Sequence, residues 1–265
     1  MFLATYPLLS PLNYCMRFLL MLFFFTPITY LYAQLPDSTM DLPDQPGVKG
    51  QAIEKQMQQN YKARLSIKTL AVPLALITYG AFSQADEDMR DLDNNIKNVV
   101  RRDPDFKTPV DNYLQYTPGL AVYALNAVGI KGKNNFRDRT MIYLMSNLVM
   151  GITVQSIKNI TKVQRPEGFG KNAFPSGHTA TAFAGAEFLR QEYKNVSPWY
   201  GIAGYAVAST TGILRMYNNM HWFRDVIAGA GFGILSTKVA YWLEPIIANK
   251  LFHKKTVYHF TSANY

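Results

Sequence analysis

Cysteine and histidine, the residues most often used for metal and redox chemistry, are scarce here: one cysteine and four histidines in 265 residues. Cys15 lies in the amino-terminal leader, so a mature form without that leader has no disulfide, and Leu12-Asn13-Tyr14 before it does not make a lipobox. Acidic residues are outnumbered, 18 against 27 Lys and Arg, for a net charge of +9. No Asp/Glu cluster suggests a metal site. No repeat or low-complexity block divides the chain, whose length suits one substantial domain. Excess basic charge suits nucleic acid, an anionic membrane surface or a phosphorylated substrate. Nothing resembles a nucleic-acid-binding motif, so that partner is not expected.

What is present is helical and apolar in the middle, with distinct ends. Residues 16–33 read as an export signal, with Arg17, the run Phe18 to Phe25, and Tyr32-Ala33 before Gln34. Met16 would serve as an alternative start, and a retained anchor helix is the competing reading of residues 1–33. Residues 34–65 are Gln-, Asp- and Pro-rich and form a polar arm; a main domain is expected over 66–250 and a basic tail over 251–265. Within the domain, Thr69 to Ala85, Asn112 to Ile130, Thr140 to Ile157, Asn195 to Leu214, and Val226 to Leu243 (broken by Lys238) carry little charge. With the stretch after His178 they predict an all-α bundle of about six helices. Their lengths approach the ~20 residues that span a bilayer. Mean hydropathy is only −0.07, which keeps a soluble periplasmic bundle open beside a membrane-embedded one.

Three short stretches carry chemistry. The first runs from Lys158 to Arg165-Pro166. Read as one helix, it places Lys158 and Arg165 on a shared face, two turns apart, with Arg165 at the end that Pro166 imposes. Lys162 is a possible fourth cation. The second, Pro175-Ser176-Gly177-His178, reads as a turn opening a helix of small residues, with Ser176 as N-cap. A helix N-terminus presents free N–H groups to an anion, Gly177 lets the backbone come close, and His178 can protonate a departing oxygen. The third places Arg215 six residues before His221, with Asp225 four further on, one turn away on the same face of an expected helix. A carboxylate on one ring nitrogen fixes the tautomer and leaves the other to attack. Each stretch alone has a plainer reading: a solvated basic face, a capped helix, a structural His–Asp bond.

Taken together, Lys-x6-Arg-Pro, Pro-Ser-Gly-His and Arg-x5-His-x3-Asp resemble the type 2 phosphatidic acid phosphatase family, whose site is shared with bacterial class A acid phosphatases and vanadium-dependent haloperoxidases. The resemblance covers roughly residues 112–243. It implies that His221 forms a phosphohistidine, oriented by Asp225, while His178 protonates the leaving group and then activates water. Lys158, Arg165 and Arg215, with Ser176 and Gly177, would hold the phosphoryl oxygens. No metal or other cofactor is expected, because the cations take that role. One departure is Leu214, where the family usually has Ser, which removes one hydrogen bond to phosphate.

The resemblance implies a phosphatase acting on a lipid phosphomonoester or pyrophosphate: lipid A, undecaprenyl pyrophosphate, or phosphatidic acid and phosphatidylglycerophosphate. If the basic loop Lys131 to Arg139 and the tail around Lys250 to Lys255 are cytoplasmic, all three motifs converge on the outer face of a bacterial inner membrane. The parity then leaves Thr69 to Ala85 lying on the surface. A soluble periplasmic acid phosphatase, a haloperoxidase and a non-catalytic phosphate-binding protein are the alternatives. Oligomeric state is not legible.

Overall fold

The computed structural model describes residues 67–101 and 107–252, with side chains through residue 248. The expected signal, the whole of the polar arm and nearly all of the basic tail lie outside the described residues. Among those described, the fold is all helical: α1 (Ile67–Phe82), α2 (Glu87–Val100), α3 (Val110–Leu114), α4 (Thr117–Ala127), α5 (Phe136–Thr161), α6 (Gly177–Tyr193), α7 (Pro198–Tyr217) and α8 (Phe223–Phe252). Eight helices replace the expected six for two reasons. The stretch Asn112 to Ile130 is broken near Pro118 into α3 and α4. The polar helix α2 has no apolar run to announce it, although Asp86 caps it by accepting from the Met89 N–H at 3.0 Å.

Helix α6 is the hub, packed against α4, α5, α7 and α8, while α8 also meets α1 and α5. Small side chains make this possible: Ala180, Ala182, Ala184 and Ala186 are all essentially fully buried. One core cluster joins Ile77, Val154, Phe174, Phe232 and Leu235, and a second joins Val122, Ile142, Phe188 and Tyr193. Two α8 glycines set the α6–α8 distance. A Cβ at Gly229 would lie 2.6 Å from the Ser176 carbonyl oxygen, and one at Gly233 would collide with the Ala180 carbonyl. Thr237 of α8 is satisfied from both sides, by Ser146 of α5 at 2.7 Å and by the Ala184 carbonyl of α6 at 3.0 Å. Lys238, which interrupts the apolar run of α8, is accommodated by buried Glu187 at 3.0 Å. The same carboxylate also binds Arg190, Gln191 and Tyr205.

Gly229 sits where α8 touches the turn that opens α6, so its loss should affect geometry and stability together. Gly229→Ala is expected to cost roughly 1–3 kcal/mol of stability, the usual range for overpacking. A melting temperature unchanged from wild type would show that the seam can open without cost.

Two helices are long and apolar enough to cross a membrane by length and composition, Phe136–Thr161 and Phe223–Ala248. They differ in surroundings. Most of the second is buried inside the protein, whereas the first presents Leu144, Leu148 and Ile152 outward, each more than 60% exposed.

Candidate active site

The end of α5 differs from the single long helix expected to carry Lys158 and Arg165. Lys162 adopts a left-handed conformation (φ 48°) and closes the helix at Thr161. Lys158 is therefore on the last turn, but Arg165 is in the following loop, and the two share no helix face. Asn172 reunites them: its carbonyl accepts from Lys158 Nζ at 2.5 Å and its Oδ1 from Arg165 Nε at 2.8 Å. The loop is folded back by Ala173 N–H donating to the Val163 carbonyl at 2.9 Å. Arg165 also meets Met220 Sδ at 3.3 Å and Glu167 at 3.7 Å. Lys162 is exposed, and among the described residues nothing joins it to this group.

The second motif does open a helix. Ser176 is the N-cap of α6, yet its hydroxyl pairs with Thr179 Oγ1 at 2.8 Å and not with a backbone N–H. Its own N–H donates to the Asp225 carbonyl at 2.9 Å, which ties motif two to motif three. At Gly177 a Cβ would come no closer than 4.0 Å to Lys158 Cε and Val154 Cγ1, so the protein's own packing does not require glycine there. His178 follows at the first turn, its Nε2 2.9 Å from Asn112 Oδ1.

Arg215 lies near the end of α7, buried, and its Nη1 donates to Asp111 Oδ2 at 2.6 Å. A tight turn through Asn219 (φ 60°) reverses the chain, and His221 arrives just before α8 starts at Phe223. The His–Asp pair thus straddles a helix start and does not lie along a helix. Asp225 Oδ2 accepts the Trp222 N–H at 2.9 Å and stands 3.6 Å from His221 Nδ1. That distance is long for a hydrogen bond. His221 Nδ1 and Asp225 Oδ1 are both buried without a partner, as is common before a ligand tightens a site.

Charge binds these residues into one cluster. Burial holds the His221 imidazole well below its ordinary range, and the charges of Lys158, Arg215 and Arg165 push it the same way. The ring is neutral and keeps a lone pair. His178 is lowered to about 4, chiefly by burial and then by Arg215, with Asp111 opposing. A dianion between the cations would offset Arg215 and Arg165 and let His178 take up a proton. Among the described residues, no group of three or more His, Cys, Asp or Glu could hold a metal ion. Asp111, Asn112 and Asn172 were not legible as part of this cluster. They are single polar residues: Asp111 lies 104 positions from Arg215 and Asn112 lies 66 from His178, separations no spacing rule links, while Asn172 sits in a loop without a motif of its own, 14 and 7 positions from Lys158 and Arg165.

The site falls within a segment with known relatives. Residues 139–247 match the family profile described as the PAP2 superfamily. This segment is similar to that family. It contains Lys158, Arg165, Ser176, Gly177, His178, Arg215, His221 and Asp225, while Asp111 and Asn112 precede it. Over 143 residues the chain is 41% identical to "Lipid A 1-phosphatase" of Porphyromonas gingivalis, covering 54% of this chain and 32% of that one. Over 74 residues it is 34% identical to "Bacitracin transport permease protein BcrC" of Bacillus licheniformis, covering 28% and 34%. The chain therefore spans about a third of the length of the curated relatives it matches. Among solved structures, Aquifex aeolicus LpxE aligns over 57% of this chain and 94% of its own, at 18% identity and a TM-score of 0.44.

Proposed function

We propose that this protein hydrolyses a phosphate ester or pyrophosphate on a membrane lipid through a phosphohistidine. The observation that carries the reading is a neutral, buried His221 set among three cations, with a second imidazole, His178, in the same cluster. In the first step His221 attacks phosphorus and the bond to the leaving oxygen breaks. His178 supplies the proton that oxygen needs, and Asp225 steadies the imidazolium. Lys158, Arg165 and Arg215 hold the equatorial oxygens, on which charge accumulates. In the second step His178, now neutral, takes a proton from water as the water attacks phosphorus; the P–N bond to His221 breaks and inorganic phosphate leaves.

A lipid substrate is supported by the 41% identity to a lipid A 1-phosphatase and by the outward apolar stripe of Leu144, Leu148 and Ile152. Phosphate groups of lipid A are the first candidates among the lipids. A site facing the periplasm follows from the charge of the loop from Lys131 to Arg139, taken as cytoplasmic.

The test uses protein purified in detergent, with EDTA present. Inorganic phosphate should be released from lipid A, and tungstate should compete. Tungstate does not itself titrate near neutrality, so its inhibition constant reads the protein. Because anion binding raises the pKa of His178 above about 4, affinity should weaken as the solution goes from about pH 5 to about pH 7. Activity abolished by chelator and restored by a divalent ion would overturn the metal-independent reading, and tungstate affinity that rises with pH would overturn the role given to His178.

A further inference from the structure

The turn carrying His221 is held from behind by helices that precede the PAP2 segment. Asp93, on α2, is buried and meets Arg224 twice. Its Oδ1 accepts the Arg224 backbone N–H at 3.1 Å and its Oδ2 pairs with the guanidinium. The first contact caps a free N–H at the start of α8 with a side chain from another helix. Four residues on, one turn along α2, Lys97 lies 5.3 Å over the Trp222 ring and donates to the Pro166 carbonyl at 3.3 Å. Arg224 flanks the same indole at 5.4 Å, and Trp222 Nε1 donates to the Gln164 carbonyl at 3.0 Å. Phe223 is met edge-on by Tyr79 of α1 at 6.1 Å. A Cβ at Gly80 would lie 2.7 Å from the Arg224 carbonyl, so α1 rests directly on the same turn.

We propose that α2 is a positioning strap for the nucleophile turn, in which Asp93 acts through Arg224 and Lys97 acts through Trp222. Arg224 is a guanidinium placed next to Asp225 in the chain, and Asp225 Oδ1 has no partner. Without Asp93, the nearest carboxylate left to Arg224 on its own turn is Asp225. Capturing it would draw Asp225 off His221, which already stands 3.6 Å away. Asp93 therefore both seats the α8 start and keeps Arg224 occupied. Lys97 packs over Trp222 and is itself held by the Pro166 carbonyl, so it steadies the turn from outside the site. Neither residue touches the phosphate site, so the strap should govern the chemical step and leave anion affinity alone.

This inference rests on His221 as nucleophile, and the experiment separates the two. Single-turnover hydrolysis of p-nitrophenyl phosphate is followed with saturating enzyme in detergent, where misfolded molecules do not change the rate. Tungstate inhibition is measured on the same samples. Asp93→Ala is expected to slow the single turnover by about tenfold or more, as small misplacements of a reacting group do, with tungstate affinity within about threefold of wild type. Adding Arg224→Met, which removes the stray guanidinium, should restore most of the rate. Asp93→Asn keeps an acceptor for the Arg224 N–H and Lys97→Met keeps the aliphatic stem. Both should slow turnover more mildly, and they carry the test if Asp93→Ala does not fold. Single-turnover rates within about twofold of wild type, or rate losses matched by equal losses of tungstate affinity, would overturn the strap. A wild-type protein that hydrolyses nothing contradicts the proposed function instead.

Discussion

Replacing His221 with alanine is expected to reduce phosphate release by at least about a thousandfold, the scale on which covalent nucleophiles fail when removed. Tungstate should still bind, because in the proposed site Lys158, Arg165 and Arg215 would hold the anion without help from the imidazole. Burial alone does not assign this role, since several buried polar residues in the chain are structural. The distinguishing feature is that burial and the surrounding cations keep His221 neutral while its Nδ1 faces Asp225. Asp225→Asn should cost less, because it disturbs orientation while leaving the attacking nitrogen in place. If His221→Ala retains more than a few per cent of wild-type turnover, the nucleophile is another group.

His178→Ala should act differently according to the leaving group. A sugar or lipid alkoxide needs a proton as it departs, so the loss on lipid A is expected to be about 10²–10⁴-fold, the range for general acids. p-Nitrophenolate leaves unaided, so its first step should be nearly spared. Single-turnover release of p-nitrophenolate and of the dephosphorylated lipid, measured in parallel with wild type and variant, reads the first step alone, and equal first-step losses on the two would remove His178 from acid catalysis. Asn112, 2.9 Å from His178 Nε2, is placed to hold the ring until substrate arrives.

The three motifs were legible because each is compact and each residue type has a specific electrostatic job. Ser176 opening α6 and Arg215 near the end of α7 follow from local sequence, whereas the expected helix through both His221 and Asp225 begins only after His221. Nor did the place of Arg165 follow, because a left-handed Lys162 ended the helix before Pro166 could, a choice no side-chain pattern announces. The carboxylate partners were also hidden. Asp111 meets Arg215 and Asp93 meets Arg224 across 104 and 131 positions, respectively, and only folding brings them together. Helix α2 was missed for the opposite reason: it is polar on most sides, and the contacts that matter come from one buried carboxylate and one lysine. The α6–α8 seam was half visible, since small residues near His178 were apparent but not that Gly229 and Gly233 would face them.

The central claim is that phosphate passes through His221, and the phosphoenzyme itself tests it most directly. The His178→Ala variant should accumulate this species with p-nitrophenyl phosphate, because the first step no longer needs an acid while the second has lost its base. Brief reaction, an alkaline quench that preserves phosphohistidine, digestion and mass spectrometry should place one phosphoryl group on the peptide containing His221. A phosphoryl group on any other residue, or continued turnover with His221 replaced, would contradict the account.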